Sequence, residues 1–544
     1  MRIWKSLRRL LKSLPDQPML VELKKLLPAP HVPHSSNTGA RDVVLMQCVA
    51  DAYFFSLFAE LSAALKQRAS FEMSLFALRS VDGAIGRGWR QSLRRCFPVS
   101  GLTTRQWLNM YDGISCEVGY RSVSWGHPWL DLQAWVKAQR AWRGLRTLAD
   151  LESITVDGMA CGDLIIDTYL RFRPAETPVL EDPFLAGVIW QAYRDVARSR
   201  LYFRKVSPRL YITSFSTYVQ HGIAVRVALE AGCEVVAFGN LQELGKRLSI
   251  HDSYHTRNPG RYKLDFEART DKQRLLDRAK EQLEVRLSGG IDGATAYMKV
   301  SAYAQGDVDC PDVEGAVVIF LHDFFDSPHV YPGIIFSDFW QWICFTIRTL
   351  RRSGIKFYLK PHPNQVGMNE PVLQRLREAF PFIQFIASAV TNRQLAQGGM
   401  RCAVTVYGTV AHEVAYLGVP SIACASHPHL AFSFCHTALT VDEYAQLLSR
   451  ADTLRFADPA AMRQEVLAFY AMHNLALEDA QLKARDALVD LWRICLRSDA
   501  SAVEIASQAR LLGSSEGFGQ LADQLVLAAG LTRRSAAPNL RMPA

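Results

Sequence analysis

The chain has no unbroken run of the ~20 apolar residues that a membrane-spanning helix needs. Its most apolar stretches, residues 52–65 and 316–325, are broken by Glu60 and by His322 with Asp323. A soluble protein is expected. It has no CxxC pair either, and its 11 Cys are scattered singly. That argues against a disulfide scaffold or a zinc module and for a reducing, cytoplasmic setting. There is no repeat of fixed period and no low-complexity tract, and the 24 Pro and 33 Gly are dispersed. Collagen-like, solenoid and mostly disordered chains are thereby excluded. The first residues lack the apolar core and small-residue cleavage site of a secretory signal. No nucleic-acid-binding motif accompanies the net charge of +9, so the excess points to an anionic substrate or an anionic membrane, with no nucleic acid expected as partner.

What is present is a globular chain of 544 residues, 49 % hydrophobic and 10 % aromatic, long enough for two domains of roughly 200 residues each. Ile3, Leu7, Leu10 and Leu14 recur at helical spacing among Arg2, Lys5, Arg8, Arg9 and Lys12. Such a helix either lies on an anionic membrane surface, making the protein peripheral on an inner membrane, or packs on the body with a solvated basic face. The composition divides the chain into this helix and a Pro-rich linker (1–40), a first domain (41–305), a second domain (306–445) and C-terminal helices with a loose tail (446–544).

In the first domain, Val43 to Cys48 reads as a buried strand followed by a helix over 52–65. Arg209 to Thr213, a loop, a helix over 222–231 and Cys233 to Phe238 then give strand, helix and strand again. In the second domain, apolar runs at 317–321, 356–359, 383–386, 402–406 and 421–424 alternate with helical segments. Short apolar runs alternating with helices call for parallel βαβ winding, so the fold class expected is α/β, with two Rossmann-like, doubly wound domains facing a cleft and extra terminal helices.

Ligands of such sheets bind at the carboxyl ends of the strands. Lys360, His362 and Asn364 follow one strand, in Lys360-Pro361-His362-Pro363-Asn364, where a Lys and a His can meet a phosphate. Tyr407, Gly408 and Thr409 follow another and lead into a helix carrying Glu413. Thr409 is expected to cap that helix, its N-terminus to receive a phosphate, and Glu413 to accept bonds from ribose hydroxyls. The plainer alternatives are simple capping by Thr409 and an exposed charge at Glu413. His322, Asp323, Asp326 and His329 follow a third strand; their spacing matches no metal site, and they are expected to line the cleft. In the first domain, Asp163, His221 and Asp51 are candidates for the general base that takes the acceptor proton, or for groups that merely cap or orient.

The motifs His322 to His329, Phe336 to Trp342, Lys360 to Asn364 and Tyr407 to Glu413 resemble those of bacterial capsule and lipopolysaccharide biosynthesis glycosyltransferases. Residues 162–171 and 218–226 resemble the first-domain motifs of the same group, so the likeness spans most of 150–445. The resemblance implies a GT-B fold, a nucleotide-sugar donor on the second domain and a polysaccharide or lipid-linked acceptor on the first. Because a helix N-terminus and basic side chains would neutralise the donor phosphate, transfer is expected to need neither a divalent metal nor a cofactor. The capsule-type Kdo transferases, which use a CMP-sugar, are the nearest named group. A nucleotide-sugar epimerase of similar architecture and a non-catalytic scaffold of a polysaccharide assembly complex are the competing readings.

Overall fold

The computed structural model describes residues 17–27, 42–78, 80–81, 99–100, 102–111, 128–173, 175–241, 243–292, 301, 308–362 and 369–533. The basic helix expected over residues 1–14, and Asn364, lie outside the described residues.

The first sheet holds β1 (Val43–Gln47), β2 (Glu72–Phe76), β3 (Leu210–Thr213), β4 (Glu234–Asn240) and β5 (Glu243–Leu248), in the order β2-β1-β3-β4-β5. All neighbours are parallel except β5, which returns antiparallel along the edge. The second sheet holds β6 (Val317–Phe320), β7 (Phe357–Lys360), β8 (Cys402–Val404), β9 (Ser421–Ala423) and β10 (Cys435–Thr437), in the order β7-β6-β8-β9-β10 and parallel throughout. The protein is therefore α/β with two Rossmann-like domains. β3 and β6 are buried at every residue, which is why they read as continuous apolar runs instead of alternating ones.

The run at 383–386 is not a full strand. It contributes one bridge, Leu359 to Phe385, and the fifth strand is β10, whose Cys435-His436-Thr437 is fully buried only at its first residue and so carries no apolar run. In each sheet the chain leaves the first strand for one neighbour and then crosses to the other side. The reversal lies between β1 and β3 in one sheet and between β6 and β8 in the other. The loops after these four strands consequently flank the crevices in which such folds bind ligands.

Domain membership departs from chain order. The helix α1 (Ala52–Arg68) and the strands β1 to β5 share a core with three late helices, Asp479–Leu496, Ala502–Gly513 and Glu516–Ala528, through Phe58, Leu488, Ile505 and Phe518. The charged helix Lys272–Leu287 packs instead on the second domain, its Leu275, Ala279 and Leu283 against Phe469 and its neighbours. Beneath the opposite face of the first sheet lie α2 (Pro128–Gly144), α3 (Gly162–Phe172), α4 (Pro183–Val206) and α5 (Ile223–Glu230).

Candidate functional site

Asp163, Asp167 and Arg171 recur every fourth residue on α3 and so share one face of a helix that is otherwise almost wholly buried. That face meets the loop after β6. Asp167 is fully buried; its Oδ1 lies 2.6 Å from His329 Nδ1, and its Oδ2 accepts from the Ser327 hydroxyl. Arg171 reaches the Phe325 carbonyl at 3.5 Å. Burial by itself would lower the His329 pKa, but the charge and hydrogen bond of Asp167, together with Asp163 and Glu152, reverse the effect and push it up to about 9. His329 is therefore an imidazolium at neutral pH. Its Nε2 is buried and has no hydrogen-bond partner among the described residues.

His329 lines a cavity of about 790 Å³ between the domains, with Asp163, Arg226, Tyr254 and Tyr331. Asp163 is gripped by both terminal nitrogens of Arg226, one at 2.9 Å. Burial would raise its pKa, yet the Arg226 charge and hydrogen bonds hold it below the usual carboxylate value. It is a closed ion pair, poorly suited to accept a proton.

His221 lies in a π-helical turn, Tyr218–Gly222, on the loop after β3. Its Nδ1 faces the Gln47 amide nitrogen at 2.5 Å, and Gln47 Oε1 in turn accepts from Thr213 Oγ1, Ser214 Oγ and the Ser214 N–H. Burial lowers the His221 pKa to about 4, so the ring is neutral at pH 7. Thr168 of α3 fixes the turn by accepting from the Val219 N–H at 2.9 Å. The turn opens on Tyr218 at φ 63, a left-handed conformation that a side chain adopts only under constraint. Asp51 is an N-cap: its Oδ1 accepts from the Tyr53 and Phe54 N–H groups at 2.8 and 3.2 Å. Of its two expected roles, the capping one is what its geometry displays.

The loops after β6 and β8 are knitted together by His322. Its Nε2 sits 3.0 Å from Thr405 Oγ1 and 3.2 Å from the Val406 nitrogen, and its ring stacks on Phe339 with centroids 4.7 Å apart. Burial takes its pKa down to about 3. Asp323 Oδ1 accepts from the Phe325 N–H and from Asn369, each at 3.0 Å. Asp326 accepts from the Ser327 N–H at 2.9 Å, while Tyr407 donates its hydroxyl to the Ser327 carbonyl at 2.9 Å. The four residues of the 322–329 motif thus act separately, His322 within the second domain and His329 across the interface.

Lys360 ends β7 buried, its ammonium 3.1 Å from the Ser388 carbonyl and its pKa lowered by burial to about 8, against a counteracting pull from Glu413. His362 is lowered by burial, with Asp323 pulling the other way. The charges of Lys360, His362, Asp323 and Glu413 act on one another. Two details depart from expectation. Thr409 has helical φ and ψ of −58° and −22° and makes no capping bond to the helix Val410–Tyr416; its hydroxyl lies 3.2 Å from Arg286. The expected cap is absent because Arg286 captures the oxygen. Glu413, read as a helix-surface carboxylate facing ribose, is buried, with one oxygen on Arg286 and the other accepting from Asn392 at 2.9 Å. Gly408 is required by a close approach: a Cβ there would stand 2.7 Å from Thr405 Oγ1, the group that accepts the Gly408 N–H.

Asp167, Arg226, Gln47 and Arg286 carry this geometry and were missed as site residues. The four-residue spacing of Asp163, Asp167 and Arg171 was a usable signal; Gln47 and Arg286 gave none. No family model matches the chain, and no curated protein matches it. Among solved structures it is similar to one from Listeria monocytogenes assigned as a UDP-N-acetylglucosamine 2-epimerase, with 10 % identity and a TM-score of 0.24 over 83 % of this chain and 95 % of that one.

Proposed function

We propose that the protein is a glycosyltransferase that moves a sugar from a nucleotide-activated donor onto a surface polysaccharide or its precursor. The observation that carries the proposal is the His329–Asp167 pair, which joins the two domains and leaves a cationic Nε2–H without an acceptor among the described residues, beside the interdomain cavity. A buried, unspent charged donor is costly unless a ligand takes it, and the leaving phosphate of a nucleotide sugar is an acceptor of the right sign.

The acceptor hydroxyl attacks the anomeric carbon, the bond from that carbon to the phosphate oxygen breaks, and its electron pair departs on the nucleotide. His329 supplies positive charge to that phosphate. The acceptor proton passes to a base, and of the three first-domain candidates His221 retains a neutral ring whose Nε2 makes no hydrogen bond among the described residues. Lys360 and His362, at the end of β7, bind the donor phosphates without a divalent ion.

The test is a thermal-shift series with CMP, UDP, GDP and CDP. A nucleotide at 100 times its dissociation constant stabilises the fold by about 2.7 kcal/mol. Stabilisation by one nucleotide, followed by acceptor-dependent release of that nucleotide from its sugar, is the expected outcome. A rearranged free sugar with no acceptor consumed would assign an epimerase, and no shift with any nucleotide would remove the proposal.

A further inference from the structure

The helix α2 presents large apolar side chains to solvent. Trp129 is 66 % exposed, Leu132 47 % and Trp135 45 %. Its inner face is settled by buried Ala134 and Ala138 and by Asp131, which receives Arg198 Nε at 2.8 Å from α4. With that face inward, the 3.6-residue period turns Trp129, Leu132, Val136, Arg140 and Arg143 outward together. On the flank towards α4, Trp135, Trp142 and Trp190 line an apolar cavity of about 240 Å³ with Pro183 and Ala186.

Part of the charge on this face is also unspent among the described residues. Lys137 is paired with Asp157 at 2.6 Å, but Arg140 and Arg143 make no ion pair among the described residues. Indole rings beside guanidinium groups with no ion pair among the described residues suit the boundary between acyl chains and anionic head groups. A sugar site would need several convergent polar groups, and Gln139 is the one polar side chain in the cavity wall.

We propose that α2 is a membrane-docking face, which seats Trp129 and Leu132 at the head-group boundary of an anionic bilayer and sets Arg140 and Arg143 against lipid phosphates. It stands apart from the sugar-transfer reading and from the basic segment at residues 1–14.

Hydroxyl-radical labelling of Trp129 and Trp135 in the full chain tests it, with no vesicles, with phosphatidylcholine vesicles and with phosphatidylcholine–phosphatidylglycerol vesicles. Labelling of both indoles is expected to fall by about threefold or more with the anionic vesicles alone, as for an interfacial helix. In Arg140→Glu/Arg143→Glu, whose side chains are exposed, the protection is expected to disappear while the melting temperature stays unchanged. Equal labelling with and without anionic vesicles would overturn the proposal. So would protection that grows with protein concentration in the absence of lipid, which would give the face to a second copy. Because the readout is confined to two side chains of α2, membrane attachment through another segment cannot imitate it.

Discussion

Glu413 and Thr409 are four residues apart and differ in what substitution removes. Glu413→Gln removes the nearer of two carboxylates that answer buried Arg286, the other being Asp292 at 3.4 Å. The expected cost is therefore that of a charged hydrogen bond, about 1.5–3 kcal/mol, and not that of an uncompensated buried charge. Urea unfolding should show a loss of that order. Thr409→Ala should cost only about 0.5–1.5 kcal/mol, because no helix N–H depends on its hydroxyl and what is lost is one hydrogen bond from Arg286. Asp51→Ala, which strips two capping bonds from α1, should cost about 1 kcal/mol in the same assay. That Lys360 would close a strand and that Glu413 would lie on the helix after another was legible in the sequence. The burial of Glu413 was not, because its partner Arg286 lies 127 residues upstream on a helix that reads as a charged connector.

At the scale of elements, the segment around β9 and β10 holds a chain of buried imidazoles. His412 Nδ1 stands 3.1 Å from His429 Nε2, His429 Nδ1 stands 3.1 Å from His427 Nδ1, and His427 Nε2 meets Thr437 at 2.8 Å. Burial lowers His412 to about 4 and His427 to about 3, and depresses His429 further with help from its neighbours. Folded rings therefore stay neutral at pH values where unfolded ones, with pKa near 6.5, bind protons. Their contribution is fully present above about pH 6.5 and is lost as pH falls from there towards 4. Urea midpoints measured between pH 7.5 and 4.5 should fall steeply in that window, and replacing His429 by Gln should flatten the slope. β1, β3, β6 and β8 were legible from their apolar runs, whereas β2, as buried as β1, was not read as a strand because Glu72 and Ser74 break its apolar run. Strands were misread where tertiary position decides, as at residues 383–386, where a plausible apolar run contributes one bridge beyond β7.

Across the whole molecule, two sheets face one another through a small set of polar contacts. His329 meets Asp167, Ser337 meets Glu152 at 2.6 Å, and Thr177 meets Asp338 at 2.5 Å. The His329 pKa is raised to about 9, so its contribution to docking is complete below about pH 6.5 and is lost as pH rises through 9. Protease susceptibility of the interdomain segments should increase over that range in the wild type and not in His329→Asn. The pairing of α/β domains was readable from the alternation of apolar runs and helices. The return of residues 479–528 to the first core was not, since nothing local in a helix says which of two cores will bury it. The most direct test is nucleotide release from the stabilising nucleotide sugar, in the presence of acceptor, by the wild type and by His329→Asn. The Asn amide can still donate to Asp167 but lacks the charge and the Nε2–H. Wild-type protein should release one nucleotide for each sugar transferred, and His329→Asn should bind the nucleotide yet turn over slower by about 10² or more. Equal rates in the two proteins would contradict a site built on His329 and Asp167.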